Sequence, residues 1–187
     1  MSPSCQSTDG LHARQLVEDL AAGQKIRAVV RDERKGEIWA ALGCEIALAE
    51  MEDAAALTHA FAGASGVFIL PPPQFDPKPG YPEAQAVIGS VVAALQAARR
   101  KVLCLSTIGG DSVHDNLLSQ RTMMEQALGL LGLPLTILRP GWFIDDALLD
   151  LSTARGTGII HSFLQPADKP FPMVSTQDVG RVAAELI

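Results

Sequence analysis

The chain has 187 residues, of which 48% are hydrophobic, and a formal net charge of −6. That length and composition allow one domain with a substantial core. A phosphate-tracking nucleic-acid surface is excluded, because the only cationic clusters are "RDERK" and "ARRK".

Membrane and secretory classes are set aside as well. No apolar run approaches the length that spans a bilayer, and the N-terminus lacks the basic flank and apolar stretch of a signal peptide. The expected location is therefore cytoplasmic. Cys5, Cys44 and Cys104 are odd in number and far apart, which fits reduced thiols rather than a disulfide framework.

The first element in chain order is the weakest. "MSPSCQ" stands where a first strand belongs, yet it is polar, and Pro3 would remove a ladder hydrogen bond from a central strand. That strand is expected to be poor or missing. A helical stripe follows at Ala13, Leu16, Val17 and Leu20, and then a β-type run "KIRAVV". "CEIALA" is a weaker strand candidate, and a helix is expected to start near Asp53, an N-cap residue type. "GVFIL" reads as a buried strand. Residues 71–82, "PPPQFDPKPGYP", form the one clear loop, because proline and glycine exclude regular structure there.

Beyond the loop, a helical stripe runs through Ala84, Val87, Ile88 and Val91, followed by the strand "KVLCLS". A third stripe, Met124, Ala127, Leu128 and Leu131, precedes the strand "LTILRP". The last stripe, Val179, Val182, Ala183 and Leu186, belongs to a helix over residues 178–187 capped by "STQD". Strands nearly continuous in apolar character, alternating with amphipathic helices, specify crossover units and a sheet covered on both faces. The fold class is α/β, a doubly wound Rossmann-like parallel sheet flanked by helices. Such sheets bind ligands beyond the C-terminal ends of their strands, so candidate site residues are sought there.

At the end of "KIRAVV" stands Arg31, with Arg34 and Lys35 close behind. A carboxylate at this point accepts from an adenosine ribose 2′-hydroxyl, whereas a guanidinium suits a 2′-phosphate, so NADP is favoured over NAD. A solvated turn in which Arg31 pairs with Asp32 or Glu33 is the competing explanation. After "CEIALA", Glu50 is placed to accept from an adenine amino group beside Met51, or else to sit in an ordinary exposed turn. After "GVFIL", Leu70 and Pro71 begin an extended proline segment that is either a cleft wall or a rigid surface loop. Ser106 and Thr107 end "KVLCLS" beside two glycines, where hydroxyls suit a nicotinamide amide or a substrate carbonyl. Pro140 ends "LTILRP" and with Gly141 is expected to turn the chain over the same cleft, with Trp142 and Phe143 as apolar lining.

These strand ends, with "RQLVEDLAAGQKIRAVVRD", "AEMEDAAALTHAFAGASGVFILPPP", "VLCLSTIGGDS", "LGLPLTILRPGWF" and "STQDVGRVAAELI", resemble the NmrA-like family. This is a branch of the atypical short-chain dehydrogenase/reductase superfamily with an NAD(P)-binding Rossmann fold. The resemblance implies NADP(H) as cofactor, Arg31 near its 2′-phosphate, Glu50 in place of the usual aspartate, and Ser106 and Pro140 on the nicotinamide side. It lays "STDGLHA" over a glycine-rich turn, so that Ser7, Gly10 and Ala13 stand where three glycines are usual. The candidate cofactor-binding set is Gly10, His12, Ala13, Arg31, Lys35, Glu50, Met51, Leu70, Pro71, Ser106, Thr107, Arg121 and Pro140. The resemblance also makes residues 1–187 a single NAD(P)-binding domain that largely lacks the family's C-terminal substrate part.

Catalytic residues are not assigned. Short-chain reductases use a tyrosine four residues before a lysine, because the lysine lowers the phenol's pKa. Here the only tyrosine is Tyr81, followed four later by Gln85, and the aligned helix carries Leu117 and Arg121. Arg121 keeps the capacity to stabilise an anion. His12, His59, His114 and His161 lack metal-ligand spacing, "DSVHD" reads as a polar loop, and Asp145 with Asp146 reads as a helix start or a solvated pair. The expected function is a cofactor-binding or redox-sensing module with weak or no catalysis. An NADPH-dependent quinone-type oxidoreductase is the first alternative, and a remnant covered by a protein partner or a second copy is the other.

Overall fold

The computed structural model describes residues 14–18, 23–72, 74, 76–116, 118–162, 164–166 and 168–187. The strand expected at residues 2–6 and the glycine-rich turn over Ser7, Gly10 and Ala13 lie outside them. So do Ala13 and Leu20 of the first helical stripe, whose described part, residues 14–18, is helical and buries Leu16 and Val17.

Seven strands and six α-helices follow among the described residues. β1 (Arg27–Val30), α1 (Glu33–Ala41), β2 (Glu45–Leu48), α2 (Ala54–Phe61) and β3 (Gly66–Ile69) alternate, with α1, which no apolar stripe predicted, starting at the Asp32 cap. The helix expected near Asp53 begins there: the Asp53 carboxylate accepts from the Ala55 and Ala56 amides at 3.0 and 2.9 Å. α3 (Pro82–Ala98), β4 (Lys101–Leu105), α4 (Ser119–Gly129) and β5 (Leu135–Leu138) continue the series. Pro82 occupies the first turn of α3, where its missing N–H costs nothing, so the proline-rich loop ends one residue earlier than its composition indicates.

After β5 the order changes. β6 (Trp142–Phe143) leads into a 3₁₀ turn over Ile144–Asp150, then α5 (Leu151–Thr157), β7 (Met173–Val174) and α6 (Thr176–Leu186). Trp142 and Phe143 therefore form a short strand paired in parallel with Met173 and Val174. α6 starts at Thr176, two residues before the expected 178, because Ser175 is its cap and accepts from the Asp178 amide at 3.0 Å.

All strand pairs are parallel. β1 pairs with β2, and β3, β4 and β5 form a second ladder with β4 in the middle. Among the described strands β1 and β3 are not hydrogen-bonded to each other. Arg27 of β1 nevertheless reaches across to α2, donating to the carbonyls of Ala60 and Ala62 at 2.8 and 2.9 Å and to Glu45 of β2 at 3.1 Å. A cation on carbonyls at a helix C-terminus is favoured by both hydrogen bonding and the helix dipole.

Alternation along the central ladder sorts side chains to two cores. Val67, Ile69, Val102 and Cys104 face α2, α3 and α4, meeting Leu57, Val91, Leu95, Met124 and Leu128. Phe68 and Leu103 point the other way, toward Leu16, Leu138 and Ala183. The sheet is thus covered on both faces, as the doubly wound reading required. Among the described residues no helix is long and apolar enough to cross a membrane.

Candidate functional site

The parallel ladders align the strand ends, and the candidate residues fall into three groups along that edge. The first is at β1 and β2. Val30 pairs with Leu48, and the Val30 carbonyl accepts from the Ala49 amide at 3.0 Å, so Arg31 and Glu50 follow the two paired strand ends, Arg31 by one residue and Glu50 by two. Both residues are exposed. Asp32, the carboxylate nearest Arg31, is committed elsewhere: it caps α1 by accepting from the Lys35 amide at 2.9 Å, with Lys35 Nζ 3.8 Å from its other oxygen. Met51 is half-buried and packs against the larger core.

The second group surrounds the β3 end. Leu70 is half-buried and Pro71 buried, and the Pro71 carbonyl accepts from Arg121 Nη1 of α4 at 2.7 Å. Gln120 donates to the Gln74 carbonyl at 2.9 Å, so two side chains of one helix hold the proline segment in place. Between this segment and the start of α3 lies a cleft of about 120 Å³, with Pro71, Pro72, Val87 and Met124 in its wall and Gln120 and Arg121 at its rim.

The third group spans β4 and β5. Ser106 and Ile108 donate their amides to the carbonyls of Leu138 and Pro140, each at 2.8 Å, so Ser106, Thr107 and Pro140 are neighbours. Pro140 is buried. Ser106 is 7% exposed, and its hydroxyl oxygen is buried without a hydrogen-bond partner among the described residues. An unpaired buried hydroxyl is costly. Gly10, His12 and Ala13 of the candidate set lie outside the described residues.

Residues 9–187 match the protein family described as NAD(P)H-binding. The chain belongs to the NAD(P)H-binding family. No curated protein matches the sequence. Among solved structures the chain is similar to the NADPH-dependent quinone oxidoreductase of Escherichia coli complexed with NADPH, at 23% identity and a TM-score of 0.78, over 96% of this chain and 62% of that one. It is also similar to the triphenylmethane reductase of Citrobacter sp. complexed with NADP(H), at 21% identity and a TM-score of 0.73, over 97% and 62%. A nucleoside-diphosphate-sugar epimerase from Pseudomonas aeruginosa gives 20% identity and a TM-score of 0.71, over 94% and 64%. The chain therefore spans about three fifths of the length of these structures, and at these identities the likeness establishes the fold.

For an NAD(P)H-binding chain the most informative residues are ones that sequence reasoning passed over. Glu125 on α4 is 7% exposed, and its carboxylate accepts from Arg139 Nε at 3.1 Å and Nη2 at 2.5 Å. The remaining Arg139 nitrogen, Nη1, donates to Asp111 at 3.2 Å, and the Glu125 carboxylate beside it holds the guanidinium pKa above its ordinary value. The signal was present as a carboxylate inside the apolar stripe of a helix, next to Met124 and Leu128. Its partner is 14 residues away on a different element.

Tyr81 is remote from reductase geometry in a specific way. It is the residue before α3, in the left-handed region with φ 54°, and caps nothing with its side chain. Asp145 does more than open a helix: its carboxylate accepts from the Thr176 amide at 2.7 Å, tying the 3₁₀ turn to the start of α6. Among the described residues no group of three or more His, Cys, Asp or Glu side chains converges.

Proposed function

We propose that this chain binds NADP(H) in preference to NAD(H) and serves as a cofactor-binding or redox-sensing module with weak or no catalysis. The observation that carries the preference is at the β1 end. Arg31 is exposed there, while the adjacent carboxylate of Asp32 caps α1 and lies beside Lys35. A 2′-phosphate would meet the Arg31 guanidinium at that position, with Arg34 and Lys35 following it in sequence.

The other groups fit the remainder of a dinucleotide. Glu50 and Met51 would hold the adenine, Leu70 and Pro71 would wall the cleft, and Ser106, Thr107 and Pro140 would line the nicotinamide side. The unpartnered Ser106 hydroxyl matches a carboxamide that offers both donor and acceptor. Gly10, His12 and Ala13 are assigned to the pyrophosphate from the sequence pattern alone. When bound, the nicotinamide supplies a hydride donor or acceptor. The residues of this chain bind and orient, because Arg121 stands where a reductase carries the lysine partner of its phenol, and Arg121 is engaged with the Pro71 carbonyl. The free, buried thiols of Cys44 and Cys104 go with a reducing cytoplasmic setting.

Calorimetric titration with NADPH and NADH tests this. The expected result is tighter binding of NADPH and loss of the preference in Arg31→Ala; equal affinities in the unsubstituted chain would refute the preference, and absence of heat would refute binding. A reductase of quinone-type substrates is the second reading, favoured by the apolar cleft beside Pro71 with Arg121 at its rim. Steady NADPH oxidation with a simple quinone would decide for it.

A further inference from the structure

A buried carboxylate in an apolar helix face has to be explained, because well-packed hydrophobic residues of the same volume are commonly as stabilising or more so. Glu125 sits between Met124 and the Leu128 turn, fully engaged in a two-pronged pair with Arg139. The same guanidinium uses its third nitrogen to grip Asp111, which belongs to the turn following β4. One planar cation thereby joins three elements: helix α4, the end of β5 and the β4–α4 turn.

That turn is in close contact with the pair. A side-chain carbon added at Gly110 would lie 2.7 Å from Ser106 Oγ, 2.8 Å from Glu125 Oε1 and 3.0 Å from the Thr107 carbonyl. The backbone of the turn thus rests against both the orphaned hydroxyl and the buried carboxylate, and only glycine permits it. Hydrogen bonds from Gly110 N to Thr107 O at 2.9 Å and from Ile108 N to Pro140 O at 2.8 Å complete the arrangement.

We infer that Glu125 is a positioning residue: through Arg139 and Asp111 it holds the turn from Thr107 to Asp111 against the β4 end, so that Ser106 and Thr107 meet the nicotinamide half of the bound dinucleotide. This rests on the reading that the cofactor lies over the strand ends with Ser106 on its nicotinamide side. The arrangement makes no contact with the Arg31 end of the site, which belongs to the separate β1–β2 pair. Its loss should therefore weaken one half of the ligand and spare the other.

The test compares NADPH with 2′-phospho-ADP-ribose, the same molecule without its nicotinamide, by calorimetry on the full chain. Glu125→Gln should weaken NADPH about tenfold and leave 2′-phospho-ADP-ribose within about twofold. Asp111→Asn, at an exposed position that leaves the buried pair intact, should weaken NADPH selectively by about threefold, which keeps the test open if the first variant folds poorly. Equal losses for both ligands, or none for either, would overturn the inference while leaving the proposed binding intact. Failure of the unsubstituted chain to bind either ligand would instead overturn the proposed function, and this inference with it.

Discussion

Gly141 follows Pro140 and begins the passage from the β5 end to β6, and a methyl group there has nowhere to go. A carbon added at Gly141 would stand 2.3 Å from the Pro172 carbonyl oxygen and 2.9 Å from its carbonyl carbon. Ordinary contact needs about 1 Å more, and the obstacle is backbone rather than a flexible side chain. The same Pro172 oxygen accepts from the Trp142 amide at 2.9 Å, so a retreat large enough to admit the methyl removes that bond from the β6–β7 pair. Overpacking costs about 1–3 kcal/mol and the lost hydrogen bond about 1 kcal/mol, for a destabilisation of roughly 2–4 kcal/mol. A domain of ordinary stability survives that. At about 2–4 °C per kcal/mol for a chain of this size, the melting temperature of Gly141→Ala should fall by roughly 4–16 °C. The control is Gly89→Ala in the middle of α3, an exposed position with nothing within 4 Å of the added carbon. There the better helix propensity should raise stability by about 0.5–1 kcal/mol. Chemical denaturation with matched m-values is the assay. A Gly141→Ala midpoint within error of the unsubstituted chain would refute the reasoning, as would a matching fall in Gly89→Ala.

Two further outcomes follow from titratable groups. Cys104 is 1% exposed and burial pushes its thiol up to about 12, so in the folded chain it should resist alkylation at neutral pH; peptide mass mapping that found it promptly modified would contradict this. Asp178 at the start of α6 is held below the usual carboxylate range by hydrogen bonds from Arg181 and Ser175. Its contribution is therefore present above the unfolded-state value near about 3.9 and lost as the pH falls through the lower folded-state value. The melting-temperature gap between the unsubstituted chain and Asp178→Asn should be open at pH near 6 and close toward pH 2, and a gap that stays constant would show that this ionisation is not linked to folding.

What the sequence determined by itself was whatever depends on neighbours along the chain. Runs of apolar and β-branched residues specified the strands β1 to β5, and stripes at 3.6-residue spacing specified α3, α4 and α6, because the side chains of one helix must share a buried face, whereas α1, which opens on the charged "RDERK", went unpredicted. Asp53 and Ser175 announced their helices because a cap bonds amides two or three residues away. The strand-end rule then pointed to Arg31, Glu50, Pro71, Ser106 and Pro140 without any knowledge of their mutual distances. Tertiary structure alone decided which of these meet. Arg121 grips Pro71 across 50 residues, Asp145 accepts from the Thr176 amide across 31, and Arg139 joins Glu125 to Asp111. Such partners are set by the order in which parallel strands lie side by side, and no local propensity encodes that order. The glycines divide in the same way. In the sequence Gly110 reads as a residue that lets the backbone approach closely and Gly141 as part of a turn, and only the fold shows that serine, carboxylate and carbonyl atoms fill the space a side chain would need.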